Sequence, residues 1–132
     1  MSETPESLTG VWYGFYSYPT ELDPQAFTAT LVQSGAHLGG STHETIAWPR
    51  EGVFTVTALL DGLREGSAVR FSKRYDGANG WNHEVLYEGL LSPETDEIEG
   101  TWRIPGDWSG RFVMVRAAKK SVSEALRLYE RA

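Results

Sequence analysis

Glu44 and Lys73 are the side chains of this sequence best placed to do chemistry, because both interrupt segments in which apolar residues alternate with polar ones. When the alternation is continued along each segment, both residues fall on the apolar face. A carboxylate and an ammonium that face the same interior within reach of each other each hold the other charged. We therefore expect either group to be able to contact a ligand amine or carboxylate.

The same face collects aromatic and polar residues that suit small-molecule recognition, which needs apolar walls and a few converging polar groups. Thr42 and Arg116 also fall on it, and tryptophans near turns can close a mouth or stack on a ring. The alternative is that these residues line a solvated rim or cover an interior filled by side chains. The predicted ligand-contacting residues are Tyr16, Tyr18, Gln33, Glu44, Trp48, Lys73, Tyr75, Tyr87, Trp102 and Trp108.

Motifs for catalysis and metal binding are weak in this sequence. His37 and His43 share the outward face of one segment, and we expect them to be exposed to solvent. His43-Glu44 and His83-Glu84 begin like a zinc-protease motif, but no second histidine follows at the required spacing. We predict no metal, no cofactor and no assigned catalytic residue.

Composition and charge narrow the class of protein. The chain has 132 residues, no cysteine and a net charge of −6, which excludes thiol catalysis and cysteine-ligated clusters. Neither clustered basic residues nor a long apolar run is present, so nucleic acid and membrane are not expected partners. The acidic start of the chain lacks the basic and apolar regions of a signal peptide, which predicts a cytoplasmic location.

The elements that must position these residues are strands. Short period-two segments separated by turn residues predict an all-β fold, an eight-stranded antiparallel up-and-down barrel, because a sheet with one apolar face must curl to bury it. We expect a single domain over 1–132, with the barrel over 8–118 and a helical tail over 119–132. The predicted strands are Val11–Tyr18, Phe27–Gln33, His37–Thr45, Phe54–Leu60, Ala68–Tyr75, His83–Leu91, Glu97–Ile104 and Gly110–Arg116.

A short amphipathic helix is predicted after the last strand. Ser121 and Glu124 have the spacing of a capping box, and Val122, Ala125, Leu126 and Tyr129 follow at helical spacing. Such a short helix needs a surface to dock on. The outer patch available to it, or to a second copy in a homodimer, consists of Val11, Tyr13, Phe15, Val113 and Val115.

The segment Gly10-Val11-Trp12 at the start of the first strand resembles the opening of the calycin-type barrels, the lipocalins and avidins. Leu38-Gly39-Gly40 and Gly100-Thr101-Trp102 are similar in style to avidin-like chains. The resemblance implies that Trp12 plugs the closed end of the barrel. The segment from Gly100 to Phe112 also resembles small uncharacterised bacterial proteins, which implies no activity.

Three functions are compatible with this pattern. The first is a non-enzymatic barrel that holds an apolar or aromatic ligand in its lumen. The second is an interaction or structural module that uses the outer apolar patch for a dimer or a partner. The third and weakest is a small barrel enzyme in which Glu44, Lys73 or Tyr87 serves as acid or base.

Overall fold

The structure is a computed structural model that describes residues 6–17, 24–48, 52–75, 84–106 and 108–131, without the side chains of 46–48 and 54. Eight antiparallel strands follow one another in chain order, and the pairing of the first with the last closes the barrel. The predicted fold class is confirmed. The strands are β1 (Gly10–Tyr16), β2 (Gln25–Ser34), β3 (His37–Trp48), β4 (Gly52–Glu65), β5 (Ala68–Tyr75), β6 (Glu84–Leu91), β7 (Glu97–Arg103) and β8 (Ser109–Arg116).

Alternation of side chains decides which residues enter the barrel. In β5, Val69, Phe71, Lys73 and Tyr75 are buried, while the residues between them point outward. The inward residues of the eight strands form one continuous core, to which Leu8, just before β1, also belongs. The register predicted from the sequence therefore holds, including the inward direction of Lys73.

Two inward glycines mark points where neighbouring strands approach each other unusually closely. A Cβ on Gly100 would lie 1.9 Å from the Glu88 carbonyl oxygen, and one on Gly62 would lie 2.0 Å from the Arg70 carbonyl oxygen. Only a hydrogen atom fits in such a space. These glycines therefore allow the sharp strand bends that a small barrel needs.

The predicted end of β4 is wrong. Asp61-Gly62 looks like a turn, but the strand continues to Glu65 and the turn is made at Gly66, whose φ is +60°. Gly62 is needed for the close strand approach, and the Asp61 carboxylate faces outward to His37 at 2.6 Å. The extra residues bring Arg64 into the barrel, where it is buried.

The helix α1 (Val122–Arg131) begins at the predicted capping box. The Glu124 N–H donates to Ser121 Oγ at 3.1 Å, and the Ser121 N–H donates back to Glu124 Oε1 at 3.2 Å. The buried face differs from the predicted one, because Leu128 is buried while Val122, in the first turn, is 48% exposed.

The helix docks on the outer apolar patch predicted from β1 and β8. Ala125, Leu128 and Tyr129 pack with Phe15, Val113 and Val115, while Tyr13 is only partly buried and Val11 stays 43% exposed. A homodimer through this patch stays a prediction, and the helix has taken up most of the surface it would use.

Candidate functional site

The two ends of the barrel carry different polar groups. We call the tyrosine end the one at which β1, β3, β5 and β7 finish, and the arginine end the one at which β2, β4, β6 and β8 finish. Tyr16 and Tyr75 are the last residues of β1 and β5, and Arg116 is the last residue of β8. The chemistry of the site follows from which strand termini meet at each end.

The tyrosine end contains a buried ion pair. Lys73 Nζ lies 2.6 Å from Glu44 Oε2, and both side chains are removed from solvent. The hydroxyls of Tyr16 and Tyr75 also donate to the Glu44 carboxylate, at 2.6 and 2.9 Å. Lys73 Nζ donates in addition to the Tyr87 hydroxyl at 3.3 Å. The carboxylate thus accepts three hydrogen bonds, and the geometry predicted for the Glu44 and Lys73 pair is confirmed.

Aromatic rings surround the ammonium group. The centroids of the Tyr16, Phe27, Tyr75 and Tyr87 rings lie 5.0 to 5.5 Å from Lys73 Nζ. Ring faces attract a cation at this distance, and the attraction is strongest where water is excluded. We refer to Tyr16, Phe27, Glu44, Lys73, Tyr75 and Tyr87 as the lysine cluster.

Two members of the lysine cluster, Lys73 and Tyr75, keep their protons at neutral pH. Burial is the largest single influence and would lower the pKa of Lys73, but the attraction of the Glu44 carboxylate, the influence of Tyr75 and the hydrogen bonds to both residues together outweigh it, so the pKa is raised. Burial also raises the pKa of Tyr75 above its ordinary range. A general acid or base works best when its pKa is near the working pH. Both shifts lead away from neutrality, so Lys73 and Tyr75 are better suited to donating hydrogen bonds than to exchanging protons.

Beside the cluster, the wall made by β2, β3 and β4 is built from small side chains. Thr42 stands between Ala29 and Ala58, and all three are buried. Among the described residues, Thr42 Oγ1 has no hydrogen-bond partner. The facing wall carries large rings, since Phe71, Tyr87 and Phe112 pack against one another with centroids 4.9 to 6.3 Å apart.

The arginine end is closed by the chain that precedes β1. Trp12 is fully buried, its indole N–H donates to the Leu8 carbonyl at 2.9 Å, and the Arg116 guanidinium stacks on its ring. Arg116 Nη2 donates to the Ser7 carbonyl at 2.9 Å, and Arg64 Nη1 donates to the Glu6 carbonyl at 2.6 Å. Across residues 6–17, 24–48, 52–75, 84–106 and 108–131, neither arginine forms an ion pair with a carboxylate.

Of the remaining predicted site residues, Gln33 and Trp102 lie at opposite ends of the barrel. Gln33 lies at the arginine end, where its Oε1 accepts from the Leu8 N–H and from Arg64, so it is not near the lysine cluster. Trp102 is buried at the tyrosine end and its ring lies 6.1 Å from that of Tyr16. Trp108 is 52% exposed. Tyr18 and the Trp48 side chain are outside the described residues. The ligand-binding role of all ten residues stays a prediction.

Sequence reasoning missed two contributors. Phe27 was not among the predicted site residues, yet its ring forms one side of the lysine cluster. Arg64 was missed because β4 was ended too early, although the inward series Val56, Ala58, Leu60 continues to it in steps of two. Continuing that alternation through Gly62 would have found it.

Some features of the described residues lie apart from the lysine cluster. A furrow of about 480 Å³ on the outer face between Leu63 and Thr101 shares no residue with it. In the part of the chain that is described, no three His, Asp or Glu side chains could together hold a metal ion. No described helix has the length and apolar character needed to cross a membrane.

No family model and no curated protein matches this chain. Among solved structures, a de novo designed fluorescence-activating β-barrel is similar, with a TM-score of 0.53 and 12% sequence identity. The match covers 82% of this chain and 92% of the designed one. At this identity the likeness shows the shared barrel fold.

Proposed function

We propose that this protein binds a small, largely apolar or aromatic molecule inside the barrel, against the lysine cluster at the tyrosine end. The observation that carries the proposal is the ion pair of Glu44 and Lys73, fully buried and surrounded by aromatic rings. Apolar walls with a few converging polar groups are the usual composition of a small-molecule site.

Burying the ion pair costs free energy, and this supports a role of the pair in binding a ligand rather than in stabilising the fold. Removing two charges from water costs several kcal/mol per ion, and well-packed apolar residues of similar volume are often as stable or more so. A barrel that needed only a solid core would gain little from Glu44 and Lys73. Strongly perturbed ionisable groups are more common at functional sites than elsewhere.

Entry of a ligand requires side chains at the tyrosine end to move, because Glu44 and Lys73 have almost no exposed surface. The groups that hold them are themselves side chains, and hydrogen bonds between side chains can be exchanged without breaking a strand. The small-residue wall of Ala29, Thr42 and Ala58 is the surface on which the apolar body of the ligand rests.

We also propose that the chain is a calycin-like barrel. The burial of Trp12 at the end closed by Leu8 and Arg116 supports this, since the resemblance of Gly10-Val11-Trp12 implies a tryptophan plug there. The similar designed barrel is described as fluorescence-activating.

The proposal is tested by titrating the protein with N-phenyl-1-naphthylamine, an uncharged fluorescent probe. We expect saturable binding of one probe per chain in the wild type and at least about a tenfold loss of affinity in Ala58→Leu, which puts a larger side chain beside Thr42. Thr57→Leu, on the outward face of the same strand, is the matched control and should bind as the wild type does. Near-UV circular dichroism checks that both variants are folded.

Two outcomes would contradict the proposal. One is the absence of saturable binding to the folded wild type. The other is equal affinity of Ala58→Leu and Thr57→Leu, which would place the probe outside the lumen.

A further inference from the structure

The lysine cluster is already balanced in charge, and this limits what it can accept. Glu44 carries one negative charge and Lys73 one positive charge, at a separation of 2.6 Å. Among the described residues, the groups in contact with them are aromatic rings and tyrosine hydroxyls, which bring no further charge at neutral pH. A charged ligand would add a charge without a counter-charge to a site from which water is excluded.

Each charged class of ligand would also have to compete with a group of the protein. An anion would compete with Glu44 for Lys73 while being repelled by the carboxylate. A cation would compete with the ammonium of Lys73, which is attached to the chain and therefore acts at a high effective concentration. An uncharged ligand meets neither obstacle.

A second observation indicates which polar group such a ligand carries. Thr42 Oγ1 is buried without a hydrogen-bond partner among the described residues, two positions along β3 from Glu44 and on the same face. A buried hydroxyl without a partner is uncommon in a folded protein and needs a water or ligand atom. A threonine hydroxyl can donate its proton to an acceptor.

We propose that the ligand of this barrel is an uncharged molecule with a hydrogen-bond acceptor such as a carbonyl oxygen, and that this acceptor is bound by the Thr42 hydroxyl beside the lysine cluster. This inference rests on the proposed function. It adds the chemical class of the ligand and a residue, Thr42, that fixes its polar group.

Four probes with one phenyl ring separate the possibilities: acetophenone, benzoate, benzylammonium and ethylbenzene. Dissociation constants come from chemical-shift titration of the ¹⁵N-labelled full chain. We expect acetophenone to bind about five- to tenfold more tightly than the two charged probes, and more tightly than ethylbenzene, which has no acceptor. Tighter binding of benzoate or benzylammonium would overturn the inference while leaving the proposed function intact, whereas no binding of any probe would remove both.

The variant Thr42→Val tests the role of the hydroxyl, because valine keeps the shape of threonine. We expect its affinity for acetophenone to fall to that for ethylbenzene, while its thermal midpoint without ligand is equal to or above that of the wild type. Thr28→Val, on the outward face of β2, is the matched control and should leave every affinity unchanged. Unchanged acetophenone binding in Thr42→Val, together with a lowered midpoint, would assign the hydroxyl to a structural hydrogen bond and overturn the inference.

Discussion

The two ends of the barrel bury positive charge in different ways. At the tyrosine end, Lys73 is held by a carboxylate, three tyrosines and a phenylalanine, all through side chains. At the arginine end, Arg64 and Arg116 donate mainly to main-chain carbonyls of Glu6, Ser7, Gly66 and Thr95.

This difference indicates which end of the barrel can rearrange its hydrogen bonds. Breaking a bond to a main-chain carbonyl at the arginine end means displacing the segment that precedes β1 or a turn. Exchanging a side-chain bond at the tyrosine end needs only rotamer changes, which leave the strands in place. The arginine end is therefore the fixed base of the barrel, and the tyrosine end is where we propose that a ligand is accommodated.

The largest expected effect comes from removing one member of the ion pair. Lys73→Met leaves the Glu44 carboxylate buried without its cation and should lower the free energy of unfolding by about 3–5 kcal/mol. The double variant Glu44→Gln with Lys73→Met removes both charges and keeps an acceptor for the tyrosines, so it should recover most of that loss. Urea unfolding followed by tryptophan fluorescence measures both. A double variant less stable than Lys73→Met would contradict the coupling.

A smaller effect is expected at the arginine end. Arg116→Met loses the hydrogen bonds to Ser7 and Thr95 and part of the contact with Trp12, which should cost about 2 kcal/mol. This loss of stability differs from the loss in Lys73→Met, because among the described residues Arg116 has no carboxylate partner whose removal would restore stability. Because the change is at the fixed base, probe binding at the tyrosine end should not change. A weakened affinity for N-phenyl-1-naphthylamine in a folded Arg116→Met variant would refute the separation of the two ends.

The smallest effect is in the dependence of stability on pH. The pKa of Lys73 is higher in the folded chain than its ordinary value of 10.5, so its contribution is complete below that pH and is lost as the pH rises towards the folded value. A hydrogen bond from the Thr95 hydroxyl, followed by one from Lys119, lowers the pKa of Glu6 below 4.5. The contribution of Glu6 is therefore present above that pH and is lost as the pH falls.

Urea midpoints measured from about pH 3 to pH 11 should separate these contributions. Glu44→Gln with Lys73→Met should flatten the alkaline part of the curve, and Glu6→Gln should flatten only the acid part. The Glu6 effect is the weaker one, because that side chain is 48% exposed and solvent screens its contacts. Identical curves for Glu6→Gln and the wild type would show that the Glu6 carboxylate contributes nothing to holding the segment before β1.

Much of the fold follows from local patterns in the sequence. Alternation placed Glu44, Lys73, Tyr75 and Tyr87 on one face, and the order of the hairpins was enough to predict closure of the barrel. Alternation does not give the stagger between strands, which decides how near two inward residues on distant strands come to each other. Gln33, inward by pattern, lies at the arginine end because it pairs with Leu38 next to the turn between β2 and β3, six residues along β3 from Glu44.

Two features of the structure could not be predicted from the pattern of residues in the sequence. The use of Asp61-Gly62 inside a strand depends on a close approach between backbones that only the closed barrel creates. The lack of a partner for Thr42 Oγ1 depends on its neighbours across the sheet being alanines, which becomes visible only when the register of β2, β3 and β4 is known.

Gly14 shows how a residue with no functional group can control the shape of the proposed binding site. The end of the Phe27 ring occupies the position that a side chain at Gly14 would need, with ring carbons 2.2 to 2.7 Å from the place of its Cβ. The same ring forms one side of the enclosure around Lys73. A single methyl group on β1 would therefore reshape the enclosure without touching any polar atom in it. Mutant libraries intended to alter ligand preference should accordingly include this glycine, which a selection of positions by chemical character would pass over.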